Sequence, residues 1–174
     1  YDGKSYFSSK KMRHPLIEVL HEKVVYVDND IELLKGNDET GGILLMGLNG
    51  VGKSSMAKAI GCNIVMAQMG YFVACSEFVY YPYEKIFTRI NGDDNIFKGM
   101  SSFVVEMSEL RSILKYADDR SIVLGDEVCK GTEETSALSI VSATIQRFSE
   151  KGVNFIMATH FHKLCEMEEI QKLK

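Results

Sequence analysis

The rhythm of apolar and polar positions changes near residue 42. Before that point the chain reads as short strands and turns, with "KVVYVDNDIEL" (Lys23–Leu33) placing strand-like stretches around the turn former "DND". After it, short unbroken apolar runs alternate with helical stripes. "ILLM" (Ile43–Met46) has the continuous apolar character of a buried parallel strand. "SSMAKAIGCNIVMAQM" (Ser54–Met69) and "FVVEMSELRSILKYA" (Phe103–Ala117) repeat apolar residues at a spacing of three to four, the period of an amphipathic helix. "ALSIVSATIQRFSEKG" (Ala137–Gly152) does the same and closes on a glycine, a common helix stop. "SIVLGDE" (Ser121–Glu127) predicts a buried strand that ends in carboxylates, and "VNFIMAT" (Val153–Thr159) a final apolar strand. Strands alternating with helices imply an α/β fold: a mainly parallel central sheet, flanking helices and a small N-terminal antiparallel β portion. One domain is expected over residues 1–174, with a β-rich portion over 1–40 and the core over 41–174.

Composition changes this picture little. The 174 residues are 45% hydrophobic and 25% charged, ordinary for one globular domain. No run of about 18 apolar residues predicts a membrane span. The first residues carry neither a signal-like stretch nor a starting Met, so the chain reads as part of a longer one. A net charge of −4 argues against a broad non-specific DNA-binding face. Cys62, Cys75, Cys129 and Cys165 form no C-x-x-C pair and read as reduced thiols of an intracellular protein. His160 and His162 form an H-x-H without the further ligands that a zinc site needs.

"GLNGVGKS" (Gly47–Ser54) fits G-x-x-x-x-G-K-[ST] between a predicted strand and a predicted helix. Glycines let the backbone fold into a nest whose N–H groups face phosphate oxygens, and the helix start adds its positive dipole end. Lys53 is then expected to reach the β- and γ-phosphates, and Ser54 to ligate Mg²⁺. The bland alternative, a glycine-rich turn with an incidental lysine, does not account for the flanking strand and helix.

Asp126 and Glu127 end an apolar strand, and in open parallel sheets ligands bind at the carboxyl ends of strands. Asp126 suits Mg²⁺, directly or through water. Glu127 suits the orientation and polarisation of an attacking water. A catalytic glutamate directly after the aspartate is a mark of the ABC-type class of P-loop ATPases, so the fold class is read as a P-loop NTPase of ABC-ATPase-like form. No N-K-x-D guanine-reading motif is present. His160, in "MATHF" at the next strand end, is positioned to meet the γ-phosphate or the water; the competing reading is an edge histidine satisfied by its own surroundings.

The motifs "RHPLIE", "YVDNDIEL", "GLNGVGKSS", "IFTRINGDDNIFKGMSSFVVEMSEL", "VLGDEVCKGT" and "ATHF" occur in that order. Over about residues 12 to 165 the chain resembles the C-terminal ATPase domain of the MutS DNA mismatch-repair family. That resemblance implies ATP and Mg²⁺ as ligands. It implies Tyr26 against the adenine ring, and Asn49, Gly50, Val51, Gly52, Lys53, Ser54 and Ser55 around the phosphates. It implies Ser54 and Asp126 on the metal, with Glu127, His160 and Lys53 as catalytic residues. It also implies that Lys130 and Thr132 fall in a loop that crosses to a partner subunit. The family usually reads G-P-N-M-G-G-K-S-T, whereas this chain has Leu48, Gly50, Val51 and Ser55; Lys130 stands where Arg is common, and the two cations are not interchangeable.

"GMSSFVVEM" (Gly99–Met107) starts a helix with serines, which offers free N–H groups to an anion. The resemblance puts Ser101 across a dimer interface from the γ-phosphate of the partner; the plain alternative is a serine helix cap. The implied protein is an intracellular, DNA-associated ATPase that pairs with a second ATPase subunit, with no membrane partner. Mismatched double-stranded DNA would be bound by domains outside these residues. Other readings are an ATPase module of a MutS relative in recombination or of another chromosome-associated ABC ATPase, a non-hydrolysing nucleotide switch, and a phosphotransferase using the same loop. Glu127 argues against the switch, and the lack of an arginine-rich lid against the phosphotransferase.

Overall fold

The computed structural model describes residues 3–21, 25–33, 41–48, 50–89, 102–129 and 132–166. Within them the chain order is β1 (Tyr6–Met12), α1 (Ile17–Leu20), β2 (Asn29–Leu33), β3 (Gly42–Met46), α2 (Lys53–Gln68), β4 (Glu77–Tyr81), β5 (Lys85–Arg89), α3 (Ser102–Tyr116), β6 (Ser121–Asp126), α4 (Glu134–Glu150) and β7 (Asn154–Thr159), followed by a 3-10 turn (His162–Glu166). The strands form two sheets: an antiparallel one in the order β2-β1-β4 and a parallel one in the order β3-β7-β6-β5.

The two central parallel strands are buried at every position, as their unbroken apolar runs predict. Their side chains alternate between two cores. Val123, Phe155 and Met157 face a cluster with Ile113 of α3 and Val141, Ile145 and Phe148 of α4. Ile122, Leu124 and Ile156 face a second cluster with Ile60 and Ile64 of α2 and Phe7 and Ile31 of the antiparallel sheet. The parallel sheet is thus a middle layer, with α3 and α4 on one side and α2 plus the antiparallel sheet on the other.

Helix termini follow local chemistry. α4 begins at Glu133, whose carboxylate accepts the N–H groups of Thr135 and Ser136, both at 2.9 Å. It ends in a Schellman motif: Gly152, at φ 65°, donates to the Ser149 carbonyl, and Val153 donates to the Phe148 carbonyl at 2.9 Å. That tight reversal sends the chain directly into β7.

The antiparallel sheet is not confined to the N-terminal portion, because its third strand is β4, which follows α2. β4 and β5 carry alternation in short stretches: Phe78 and Tyr80 pack inward, while Val79 is 46% exposed. β1 contains an irregularity between Ser9 and Met12, with Lys11 at φ 50°. Ser9 and Met12 are both buried although three residues apart, which a regular strand of period two does not allow. The extra residue re-aims the chain just before Arg13 and His14.

Candidate active site

The glycine loop leaves β3 at its carboxyl end and runs into α2. Gly50 (φ 85°) and Gly52 (φ 100°) lie in left-handed space, where a side chain would strain the backbone. A Cβ on either glycine would meet nothing within 4 Å, so backbone conformation and not crowding requires glycine here. Gly52 is the N-cap of α2 and, being glycine, offers no capping side chain of its own. The first N–H groups of α2 are therefore oriented towards the loop without an acceptor from the cap residue's side chain, the arrangement that binds anions. Lys53 is buried, and its ammonium donates to the carbonyls of Gly47 at 2.6 Å and Leu48 at 3.0 Å. The cation is held inside the loop by groups that a phosphate can replace.

A cleft of about 880 Å³ opens between this loop and the Tyr26 segment. Gly50, Val51, Gly52, Lys53 and Ser55 line one wall and half-buried Tyr26 lines the other, with Ile17 and Met56 supplying apolar surface. Burial keeps the Tyr26 phenol above its ordinary range, so it stays neutral. The Tyr26 segment is clamped by Arg13. The guanidinium holds the Glu18 carboxylate through Nε at 2.7 Å and also through Nη2, and Nη2 donates to the Tyr26 carbonyl at 3.1 Å. Asn63 of α2 anchors the clamp, donating to the Arg13 carbonyl at 3.0 Å and accepting the Ala74 N–H at 2.7 Å. The His14 ring lies 6.5 Å from that of Tyr26, and burial, then Lys58, hold its pKa below the ordinary value.

Asp126 and Glu127 end β6. Asp126 pairs in register with Ala158 of β7, and Met46 of β3 with Thr159. At about 4.8 Å per strand, Asp126 lies two strands, about 10 Å, from the end of β3 where the glycine loop begins. Asp126 is 5% exposed, and its buried Oδ1 has no hydrogen-bond partner among the described residues. A buried carboxylate oxygen without a donor is costly, and its chemistry fits a hard divalent cation reached across the strand ends. Ser54, in the first turn of α2, is half-buried.

Glu127 sits at φ 49° and Cys129 at φ 65°, two non-glycine residues in left-handed space at one turn. Such backbone costs about 1 kcal/mol or more per residue and persists where the surroundings over-determine it. Here Glu127 N–H donates to the Ala158 carbonyl at 2.9 Å, Val128 and Cys129 are buried in the α3–α4 core, and Cys129 N–H donates to Glu106 Oε1 at 2.8 Å. Burial, then the Glu106 carboxylate, push the Cys129 thiol up to about 11, which leaves it unreactive.

The structure places the sequence-derived residues differently; Ser54 does not line the cleft. Tyr26, Gly50, Val51, Gly52, Lys53 and Ser55 share the cleft. Asp126, Glu127 and His160 stand at neighbouring strand ends beside it and do not line it. His160 is exposed, with its ring 4.3 Å from that of Phe161, and Thr132 is half-buried in the turn after Cys129. Asn49, Ser101 and Lys130 lie outside the described residues. The clamp of Arg13, Glu18 and Asn63 and the buried Glu106 were not singled out from sequence. Glu106 did carry a signal, because it occupies the apolar stripe of Phe103, Met107, Leu110 and Ile113. Among the described residues no group of three or more His, Cys, Asp or Glu is placed to hold a metal ion.

Comparison with known proteins identifies relatives. The family model for MutS domain V matches residues 43–174. A mutS homologue of Acanthamoeba polyphaga mimivirus is 39% identical over 203 aligned positions, covering 97% of this chain and 18% of the relative. The mitochondrial DNA mismatch repair protein mutS homologue of Sarcophyton glaucum is 38% identical over 164 positions, covering 94% of this chain and 16% of the relative. The DNA mismatch repair protein MutS of Caldicellulosiruptor saccharolyticus is 39% identical over 163 positions, covering 92% and 19%. The chain spans less than a fifth of the length of each of these relatives.

Proposed function

The chain belongs to the MutS family, and from that premise we propose that it is the Mg²⁺-dependent ATPase module of a DNA mismatch-repair protein and works as a pair of subunits. One observation carries the reading: the buried Oδ1 of Asp126, without a hydrogen-bond partner among the described residues, at a strand end beside a glycine loop whose helix has glycine as its N-cap. A buried carboxylate oxygen is ordinarily paired, and a divalent cation would pair this one. The loop between β3 and α2, and the acidic end of β6, support reading the fold as a P-loop NTPase of ABC type.

In this reading Tyr26 stacks on adenine, with Arg13 fixing the backbone that presents it. The N–H groups of Gly50 to Lys53 hold the phosphates, and the Lys53 ammonium leaves the Gly47 and Leu48 carbonyls for phosphate oxygens. Ser54 and Asp126 would hold Mg²⁺, which would supply charge neutralisation of the phosphate. Glu127 orients the attacking water and takes its proton, and His160 supplies a further hydrogen bond near the γ-phosphate. Ser101, Lys130 and Thr132 would complete the site of the partner subunit. ATP contacts made only in the closed pair bias the pair towards closure, and hydrolysis releases it. Binding to mismatched DNA would rest with other domains of the longer protein, and the compartment would be that of the DNA it serves.

Equilibrium binding of a fluorescent ATP analogue, with Mg²⁺ and then with excess chelator, tests the assignment. Binding that weakens about tenfold or more on chelation, and loss of binding in Lys53→Met, are expected. Binding indifferent to both would remove the phosphate loop from the account.

A further inference from the structure

The geometry points to Glu106 as a positioning residue for Glu127, one that ties the catalytic turn to helix α3; this rests on the ATPase reading above. Glu106 is 8% exposed, in the middle of an otherwise apolar helix face, and such a position is costly for a carboxylate unless it is paired. Its Oε1 accepts the Cys129 N–H at 2.8 Å, and the Arg89 Nη2 at the end of β5 lies 3.9 Å from the same oxygen. Arg89 also approaches Glu109 Oε2 at 3.1 Å, one turn further along α3.

The N–H that Glu106 receives is not an ordinary one. It belongs to the second of two left-handed residues in a turn whose first left-handed residue is Glu127. Glu127 N–H continues the ladder onto β7, and Val128 and Cys129 point into the core. Without an acceptor for the Cys129 N–H, a buried donor would be left unpaired and the turn could relax out of left-handed space, carrying the Glu127 side chain with it. Glu106 is therefore the only acceptor among the described residues holding that end of the turn, and it comes from α3 rather than from the strand. A displacement of α3 is transmitted to the residue that orients water. In a paired ATPase whose α3 start meets the partner's nucleotide, this contact would make hydrolysis in one subunit sensitive to engagement of the other.

Two conservative variants separate the contact from the charge. Glu106→Gln keeps the chain length and an oxygen acceptor; Glu106→Asp keeps the charge and withdraws the acceptor by one methylene. On the intact protein, Glu106→Asp is expected to speed amide exchange in residues 127–129 without nucleotide by about tenfold, and to lower turnover by a similar factor. Its Kd for Mg-ATP should move by less than about threefold, because the cleft is untouched. Glu106→Gln should stay within about threefold of the parent in all three readouts. Wild-type turnover in Glu106→Asp, or faster exchange without loss of turnover, overturns the positioning role. So does a Gln variant as impaired as Asp, which would make the charge beside Arg89 the determinant. If the parent itself neither binds nor hydrolyses ATP, the ATPase reading fails and takes the catalytic role with it, while the exchange contrast still reports whether Glu106 holds the turn.

Discussion

Arg13 Nη2 donates to the backbone carbonyl of Tyr26 at 3.1 Å while the same guanidinium grips Glu18. The planar fork therefore fixes a main-chain segment whose side chain lines the cleft. Lysine cannot serve an acceptor pair and a carbonyl in one plane. Arg13→Lys is expected to weaken Mg-ATP binding by about three- to tenfold and to leave turnover at saturating ATP close to the parent value, since the strand-end carboxylates are not involved. A titration that returns the parent Kd would make the clamp purely structural.

Glu133 supplies the clearest pH dependence. Hydrogen bonds from the Thr135 and Ser136 N–H groups lower its pKa from the ordinary value of 4.5 to about 2. A carboxyl depressed by folding stabilises the native state fully above its unfolded pKa, and loses that contribution as pH falls through the folded value. The window therefore runs from about 4.5 down to about 2. Glu133→Ala should lower the melting temperature at pH 7, and the gap between variant and parent should shrink as pH falls through this window. A gap independent of pH would mean that the side chain stabilises α4 by something other than its charge.

Much of this architecture was legible in the sequence for identifiable reasons. The runs of β6 and β7 are buried on both faces, so their apolar character is continuous, and α4 shows both its stripe and its glycine stop. The glycine loop was readable because its glycines answer to backbone geometry at Gly50 and Gly52. β4 was harder: the inward Phe78 and Tyr80 alternate with an exposed valine, so hydrophobicity alone blurs the period. The third strand of the antiparallel sheet also comes from beyond α2, a pairing that no local pattern encodes. At the site, Arg13 and Glu106 escaped singling out because their roles are long-range. One meets a carbonyl 13 residues away and the other an amide 23 residues away.

Asp126 places stability and function in opposition. Its buried Oδ1, without a hydrogen-bond partner among the described residues, is a local cost. Asp126→Asn removes the charge at nearly constant shape, so the melting temperature should hold or rise while Mg²⁺-dependent tightening of ATP binding disappears. Lower stability with unchanged Mg²⁺ dependence would identify Asp126 as a structural residue instead.

Glu127→Gln separates binding from chemistry. Glutamine fits the same strained turn, held by the Ala158 carbonyl and the buried Val128 and Cys129, so the cleft and its ligand should be retained. It cannot take a proton from water. Turnover should fall by about a hundredfold or more with Mg-ATP affinity within about threefold of the parent. Retained turnover would exclude Glu127 as the general base.

Turnover per subunit should depend on protein concentration. Among the described residues the cleft is lined by Tyr26 and the glycine loop of one chain, while Glu127 and His160 follow the strand ends without lining it. In the ATPase reading, excluding water from Glu127 and His160 would strengthen charge stabilisation of a phosphoryl transition state. A second subunit laid over the strand ends would supply both the cover and further donors. Specific ATPase activity is therefore expected to rise with concentration towards a plateau, with the midpoint near the dissociation constant of the ATP-bound pair measured by sedimentation. Adding a Lys53→Met protein as partner tests the same point: it should stimulate dilute parent protein, because it brings cover without a working phosphate loop. Activity that is flat down to concentrations where sedimentation shows only monomers would mean that each subunit hydrolyses ATP alone, and that pairing serves another step.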